Sequence, residues 1–390
     1  MRIALFHDLP TGGAKRVVDQ HARRLVAAGH RVDAFLPSTA DESFLPLDVS
    51  VVRVFDRPAA PDRARLLGAA ATPLDAARWA TYVHHVFRVE RQIARAIDQG
   101  GYDVVLVHPS QFTQAPSLLR MLRTPSLYYC HEPLRAAHEP WFAPAWVRFG
   151  VRHTLGRVDR VNARAATVIA ANSRFTARRC RALYGRPLRV AYPGVDSAHF
   201  RPLGGERSGF VLCVGALHRS KGQGFILDAL ATIPRQRRPK LVLVADRVRD
   251  AERQRVSARA AQLDIDVELA IRVAEDVLIE MYDRCGAVLY APHDEPLGLV
   301  PLEAMACEAP VVAVNEGGMR ETVRSGTGIL SAREPAAFGQ AVAQLLEHSD
   351  RAEAMGRNAR RYVIDHWNWE RAIRRLEALL GRAARRRDVS

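Results

Sequence analysis

Ala291-Pro-His-Asp-Glu295-Pro-Leu-Gly-Leu-Val-Pro-Leu-Glu303-Ala-Met-Ala306 decides how this chain is read. Just before it, Gly286-Ala-Val-Leu-Tyr-Ala291 is a short apolar run with flanking breakers, which predicts a buried strand. Pro292, Pro296 and Gly298 then interrupt regular structure, and residues 299–307 show helical spacing of apolar positions. Glu295 thus falls in the loop at a strand's carboxyl end. Glu303 falls in the early turns of a helix, where side chains tilt back toward that loop. Between them lie amide groups of a helix start, which favour an anion. Two hydroxyl-accepting carboxylates flanking an anion hole suit a ligand that is part sugar and part phosphate, such as a nucleotide sugar. The plainer alternative is a loop acid and a helix acid that are merely solvated, so the reading depends on what surrounds them.

Outward from this stretch, strands and helices alternate. In the second half, strands are predicted at 209–214, 240–245, 266–271, 286–290, 310–314 and 327–330. Helices fit 222–232, 248–262, 274–284, 299–307, 318–324, 334–347 and 350–366. The first half repeats the scheme, with strands at 2–6, 32–36, 103–107, 126–130, 167–171 and 188–191 and helices at 14–28, 76–99 and 173–184. Residues 39–75, rich in Pro, Ala and Asp, take no assignment. This alternation implies parallel sheets covered on both faces. Residues 193–205, rich in breakers, read as a linker. The expectation is an α/β chain of two Rossmann-like domains facing each other across a cleft, with ligands at the carboxyl ends of the strands. Domain limits are placed at 1–195 and 208–366, with a terminal helix at 368–386.

A length of 390 residues agrees with two domains, and 48% hydrophobic with 25% charged residues excludes a disordered chain. The apolar start is too short for a signal peptide, and no run approaches the ~18 apolar residues of a spanning helix. A cytoplasmic protein is expected. Five scattered cysteines, at 130, 180, 213, 285 and 307, read as buried thiols. No group of His, Cys, Asp or Glu has metal-ligand spacing. Net charge is +15, and Lys15, Lys221 and Lys240 are the only lysines. Residues 141–190 hold eleven arginines against one acid, Asp159, beside Trp141, Phe142, Trp146 and Phe149. Basic residues next to interfacial aromatics predict peripheral contact with an anionic membrane, at its inner face. A solvated helical surface with inward aromatics is the competing reading, and nucleic acid ranks below both.

Two loops are phosphate candidates. Pro10-Thr-Gly12-Gly13 brings the backbone toward a ligand ahead of a helix, without the dinucleotide spacing. Its counterpart, Gly215-Ala-Leu-His-Arg219-Ser-Lys221-Gly222, sets a cation at a helix start, where the helix dipole repels it and a bound phosphate would reverse the sign. Arg219 is placed to assist. His131, in Tyr128-Tyr-Cys-His-Glu-Pro133, follows a strand and is expected to reach a sugar. A histidine satisfied by backbone partners is the alternative. His84-His85 reads as bland surface or packing.

On these residues the chain resembles family 4 of the glycosyltransferases, a retaining family with the GT-B fold. Glu295-Pro-Leu-Gly-Leu-Val-Pro-Leu-Glu303 resembles its E-x7-E signature, followed in family order by Pro310-Val-Val-Ala and Gly317-Gly-Met-Arg-Glu321. Gly12-Gly13, Tyr129-Cys-His131-Glu-Pro, Asn172-Ser-Arg-Phe-Thr, Tyr192-Pro-Gly-Val-Asp196 and His366-Trp-Asn-Trp-Glu-Arg extend the resemblance over nearly the whole chain. It implies that Glu303 accepts the ribose hydroxyls and that Glu295 holds hydroxyls of the transferred sugar, with the amides of Leu297, Gly298 and Leu299 around it. Lys221 would neutralise the diphosphate, Gly13 would approach it from the other domain, and His131 would contact the donor sugar.

The implied chemistry is metal-independent and needs no cofactor. A hexose passes from GDP-mannose or a UDP-sugar to a lipid-linked or saccharide acceptor, with retained anomeric configuration. The leaving diphosphate's charge is met by Lys221, Arg219 and the helix start near Leu299. A leaving-phosphate oxygen takes the acceptor's proton, so Glu295 is not cast as a nucleophile, unlike the paired acids of glycoside hydrolysis. Three positions depart from the family pattern: Ala216 where arginine is common, Val244-Ala-Asp246 where Val-Gly-Asp-Gly is usual, and Glu308 where glycine commonly ends the helix. The alternatives are an epimerase or phosphorylase on the same fold, or an inactive nucleotide-sugar-binding protein.

Overall fold

The computed structural model describes residues 1–43, 45–61, 72–139, 145–246 and 248–385. The chain divides into two compact units: Met1–Ala191 with the chain from Ile373 onward, and Tyr192–Ala372.

The first unit holds a seven-stranded sheet of β1 (Arg2–Asp8), β2 (Arg31–Pro37), β3 (Val51–Phe55), β4 (Val104–Ser110), β5 (Ser126–Cys130), β6 (Val168–Ala171) and β7 (Arg189–Val190). The second holds β8 (Ser208–Val214), β9 (Lys240–Ala245), β10 (Val267–Ile271), β11 (Cys285–Tyr290), β12 (Val311–Val314) and β13 (Ile329–Ser331). Their orders are β3-β2-β1-β4-β5-β6-β7 and β10-β9-β8-β11-β12-β13, with every named pairing parallel. In each unit the order reverses direction at its first strand. Parallel strands need crossover connections, here mostly helices, and those helices cover both faces of the sheet. β8 shows the consequence: Leu212 packs into one apolar cluster and its neighbours Val211 and Cys213 into another. This is why the strands read as continuous apolar runs.

Local chemistry sets the helix limits. Thr72 caps the Pro73–Gln99 helix by accepting the Asp75 amide, Asp75 reciprocates toward the Thr72 amide, and Pro73 occupies the first position. Ser173 caps Arg174–Tyr184 and Gly185 ends it in the left-handed conformation. The final helix, Trp369–Ala384, joins the first unit from Ile373, where Glu377 accepts from His30 at 2.8 Å.

Several features were missing from the sequence reading. β3 lies in the unassigned stretch 39–75 as a largely exposed edge strand, so its residues carry no buried alternation. Two short helices, Ala145–His153 and Leu155–Ala165, occupy the arginine-rich segment. There Trp146 and Phe149 are each 67% exposed, so the inward packing considered for the aromatics does not hold for these two. Trp141 and Phe142 fall outside the described residues. All five cysteines are buried free thiols, as expected. No helix among the described residues is long and apolar enough to cross a membrane.

Candidate functional site

The reversal of strand order in the second unit falls between β8 and β11, so the loops that leave their carboxyl ends lie side by side. The stretches 215–222 and 291–298 are those two loops. The His293 amide donates to the Ser220 carbonyl at 2.8 Å, tying one to the other. Gly222, at φ +76°, permits the close approach, because a Cβ there would overlap the Ala291 carbonyl. Gly317 and Gly318 do the same for the other side of the loop, against the backbone of Glu295 and Pro296, and the Gly318 amide donates to the Glu295 carbonyl at 2.8 Å.

This packing places Lys221 Nζ 2.9 Å from Glu295 Oε2, with both side chains partly exposed. Lys221 closes a 3-10 turn, Arg219–Lys221, ahead of the Gln223–Ala231 helix. Its charge therefore already has a carboxylate partner, and the isolated cation repelled by a helix dipole is corrected to one half of an ion pair. Arg219, on the same turn, is more exposed and pairs with Glu252 at 3.7 Å. The Ala216 carbonyl accepts from Gln223 at 3.0 Å.

Glu303, 6% exposed, is the fifth residue of the Leu299–Ala306 helix. Leu297 is buried, and Gly298, at φ +91°, starts that helix with no side-chain cap. Pro301 removes one donor from the first turn, which leaves the backbone around Leu299 to present the positive end of the helix.

Several supporting residues escaped the sequence reading. Arg333 donates to the carbonyls of Ala291 and Pro292 at 3.0 and 2.8 Å, and Glu316 holds it in a two-pronged contact at 2.8 and 2.6 Å. Arg333 thereby fixes the loop that carries Glu295 from a point about forty residues away in sequence, where no local motif signals it. Tyr290, the last residue of β11, is hydrogen-bonded to Glu295. Burial first, and then the negative charge of Glu295, push its phenol well above the usual range, so it stays neutral.

In the first unit, Gly12 and Gly13 follow β1. Gly12 is the cap residue of the Gly13–Ala27 helix, at φ +142°, and its carbonyl accepts the Arg16 amide at 3.1 Å. His131 follows β5 and is 7% exposed. Its Nε2 lies 3.0 Å from Nδ1 of His108 on β4. It is thus neither a surface residue nor one satisfied by backbone alone. His85 bonds the Thr81 carbonyl within its own helix through an exposed hydrogen bond, in keeping with bland surface. Among the described residues no group of three or more His, Cys, Asp or Glu is placed to hold a metal ion.

Comparison with known proteins fits this geometry. Residues 196–362 match the family described as glycosyl transferases group 1, and residues 11–199 match glycosyltransferase family 4. The chain is 30% identical to the D-inositol 3-phosphate glycosyltransferase of Acidothermus cellulolyticus, over 72% of this chain and 73% of that one. It is also 30% identical, over 55% of this chain and 61% of the other, to a GDP-mannose-dependent alpha-(1-6)-phosphatidylinositol monomannoside mannosyltransferase of Mycobacterium tuberculosis. In fold it is similar to sucrose-phosphate synthase of Thermosynechococcus elongatus, with a TM-score of 0.74 at 21% identity over 97% of this chain and 98% of that one. Anabaena HepE, solved with UDP and glucose, gives a TM-score of 0.74 at 20% identity over 98% and 99% of the two chains. Likeness at such identity speaks for fold, while the family matches and the first relative speak for descent. This chain belongs to glycosyltransferase family 4 and is a sugar-transferring enzyme built from two Rossmann-like units of the GT-B class.

Proposed function

We propose that the enzyme transfers a hexose, with retention of configuration, from a nucleotide-diphosphate sugar to a hydroxyl of a lipid-linked or saccharide acceptor. The observation that carries this reading is the Lys221–Glu295 pair at the strand reversal, with buried Glu303 on the helix that follows. Donor phosphate would draw Lys221 from Glu295, freeing that carboxylate to accept sugar hydroxyls while the ammonium meets the charge of the leaving diphosphate. Arg219 is a second cation within the same turn. Glu303 would take the ribose hydroxyls, and the amides from Leu297 to Leu299 would line the anion. For Gly12, Gly13 and His131 we propose contacts with the donor's diphosphate and sugar. GDP-mannose is the first donor to try, because a relative is described as GDP-mannose-dependent, and UDP-sugars the second.

The acceptor is proposed to be a lipid-linked glycan or an inositol-type head group, in line with the names of the relatives. Exposed Trp146, Phe149 and Val161 share the two short helices with exposed Arg152, Arg157, Arg160 and Arg164, a composition suited to an anionic bilayer surface.

Thermal shift against UDP, GDP and ADP and their sugar conjugates names the base, because a ligand stabilises the state it binds. Transfer from the donor so identified, followed by NMR of the product's anomeric proton, then checks retention. Product of inverted configuration would sink the mechanism, and absence of any nucleotide-dependent shift would sink the donor site. Sedimentation with vesicles containing anionic lipid tests the surface. Trp146→Ser with Phe149→Ser should abolish co-sedimentation and leave transfer to a soluble acceptor intact.

A further inference from the structure

His131 ends a line of three buried imidazoles in the first unit, and the other two, His21 and His108, are used by nothing described so far. His131 Nε2 faces His108 Nδ1 at 3.0 Å, and His108 Nε2 faces Nδ1 of His21 at 3.5 Å. His21 lies on the Gly13–Ala27 helix, His108 on β4 and His131 just after β5, so the line runs from a helix through the sheet to its carboxyl edge. Tyr129 packs against all three rings, with centroids 4.8, 5.3 and 5.1 Å away. Its hydroxyl is engaged elsewhere, donating to the Ala191 carbonyl at 2.6 Å.

Burial holds all three imidazoles neutral at physiological pH. His21 and His131 are each lowered to about 3, and His108 well below its ordinary value, with repulsion among the rings adding to the effect on His21 and His108. Each ring therefore carries one N–H proton, and proton counting leaves two arrangements. If His108 is protonated at Nδ1, it donates to His131 Nε2 and accepts from His21 Nδ1, so all three rings are protonated at Nδ1. If it is protonated at Nε2, both bonds reverse and all three are protonated at Nε2. The free nitrogen of His131, Nδ1, is a donor in the first case and an acceptor in the second.

We propose that His21, His108 and His131 form one tautomeric unit, in which His21 and His108 are positioning residues that set whether His131 offers its Nδ1 as donor or acceptor. The functional part of this inference rests on the proposed contact of His131 with the donor sugar. A hydroxyl at that nitrogen must then donate or accept according to a ring that does not itself touch it.

The test is ¹⁵N NMR of the full-length enzyme labelled at histidine, with the three residues assigned by the loss of signals in single variants. In the wild type all three rings should be protonated at the same-named nitrogen. A mixed set, such as Nδ1–H on His108 with Nε2–H on His131, overturns the proposal without any variant. His21→Leu should then shift the tautomer balance of His131 and lower kcat roughly fivefold, the scale of one neutral hydrogen bond, with the donor KM unchanged. His21→Asn keeps a hydrogen-bonding atom near the position of Nδ1 and should restore both. An unmoved His131 tautomer in His21→Leu also overturns the unit. A moved tautomer with wild-type kcat leaves the unit standing and instead removes His131 from the transfer reaction.

Discussion

In the second unit, β8 and β11 bury apolar side chains on both faces: Leu212 and Val288 in one cluster, Val211 and Leu289 in the other. Asp283 and Glu303 are its buried acids among the described residues. In the first unit the corresponding order of strands encloses His7, Asp8, Lys15, Arg57, Glu90, His108 and Asp159. Lys15 and His7 share the carboxylate of Glu42 at 2.6 and 3.0 Å, and Arg57 and Ser110 meet Asp8 at 2.7 and 2.9 Å. One topology thus supports two kinds of interior. In the second unit the ionic chemistry of the candidate site is confined to the loops at the switch point, above an apolar body. In the first it reaches into the body, where partnered charges fix geometry without adding stability in proportion.

The largest expected effect lies at the loops of the second unit. Lys221→Ala should lower kcat by about two orders of magnitude, as expected when a group meeting transition-state charge is lost. Glu295→Ala should lower it comparably, whereas Glu303→Ala should act chiefly on donor KM, by about tenfold. Wild-type kcat in Lys221→Ala would show that the pair is a structural tie. Below the loops, Leu212→Ala should destabilise by about 3 kcal/mol in urea unfolding, the ordinary cost of a buried cavity. A cost near zero would contradict a tightly packed two-faced core.

The first unit should answer to pH instead. Burial raises Glu90 and Asp159 each to about 7, against opposing hydrogen bonds from Ser117 and the Leu118 amide to Glu90, and from the Ala115 amide and Tyr184 to Asp159. Between the ordinary carboxylate range and 7, the native state keeps a proton that the unfolded chain has released, so stability falls as pH rises across that window. The depressed histidines act on the other side. Their contribution is complete above 6.5 and declines as pH falls toward about 3. Thermal unfolding should therefore be most favourable to the native state at mildly acidic pH. Asp159→Asn should flatten the alkaline limb, raising the Tm at pH 8 relative to pH 5 by several degrees. An unchanged slope would mean that Asp159 is ionised in the folded protein.

Legibility in the sequence follows the same division. Apolar interiors write themselves as periodic runs, so the strands and helices of the second unit, from β8 to the Ser349–His366 helix, fall within a few residues of their predicted limits. Glu295, Glu303 and Lys221 were readable because short breakers and a helix start mark them locally. Their supports were not. Arg333 reaches Ala291 and Pro292 across four intervening elements, and an arginine on an arginine-rich chain carries no signal. His21 and His108 sit among apolar residues of a helix and a strand, where spacing cannot reveal that the fold brings the two rings together. β3 was hidden for the opposite reason, since an exposed edge strand lacks the apolar alternation that would announce it.

The smallest effect concerns how each unit ends a helix. In the first, Gly185 follows Arg174–Tyr184 at φ +63°; in the second, Glu308 takes up φ +61° just past Leu299–Ala306. The turn at Glu308 is fully formed, with its amide on the Met305 carbonyl at 3.1 Å and the Ala309 amide on the Ala304 carbonyl at 2.9 Å. The Glu308 carbonyl also accepts from the Arg207 guanidinium at 2.6 Å, so these contacts use the backbone of Glu308 and would survive loss of its side chain. A left-handed residue with a Cβ costs about 1–2 kcal/mol, and glycine's extra freedom in the unfolded chain returns up to about 1 kcal/mol of that. Glu308→Gly should therefore stabilise by roughly 0.5–1 kcal/mol, and Gly185→Ala should destabilise by a similar amount, both read as shifts in the urea midpoint at constant m. A loss of stability in Glu308→Gly would mean that the glutamate side chain contributes more than the strain it imposes, and would turn this departure from the glycine cap into a feature of the second unit's design.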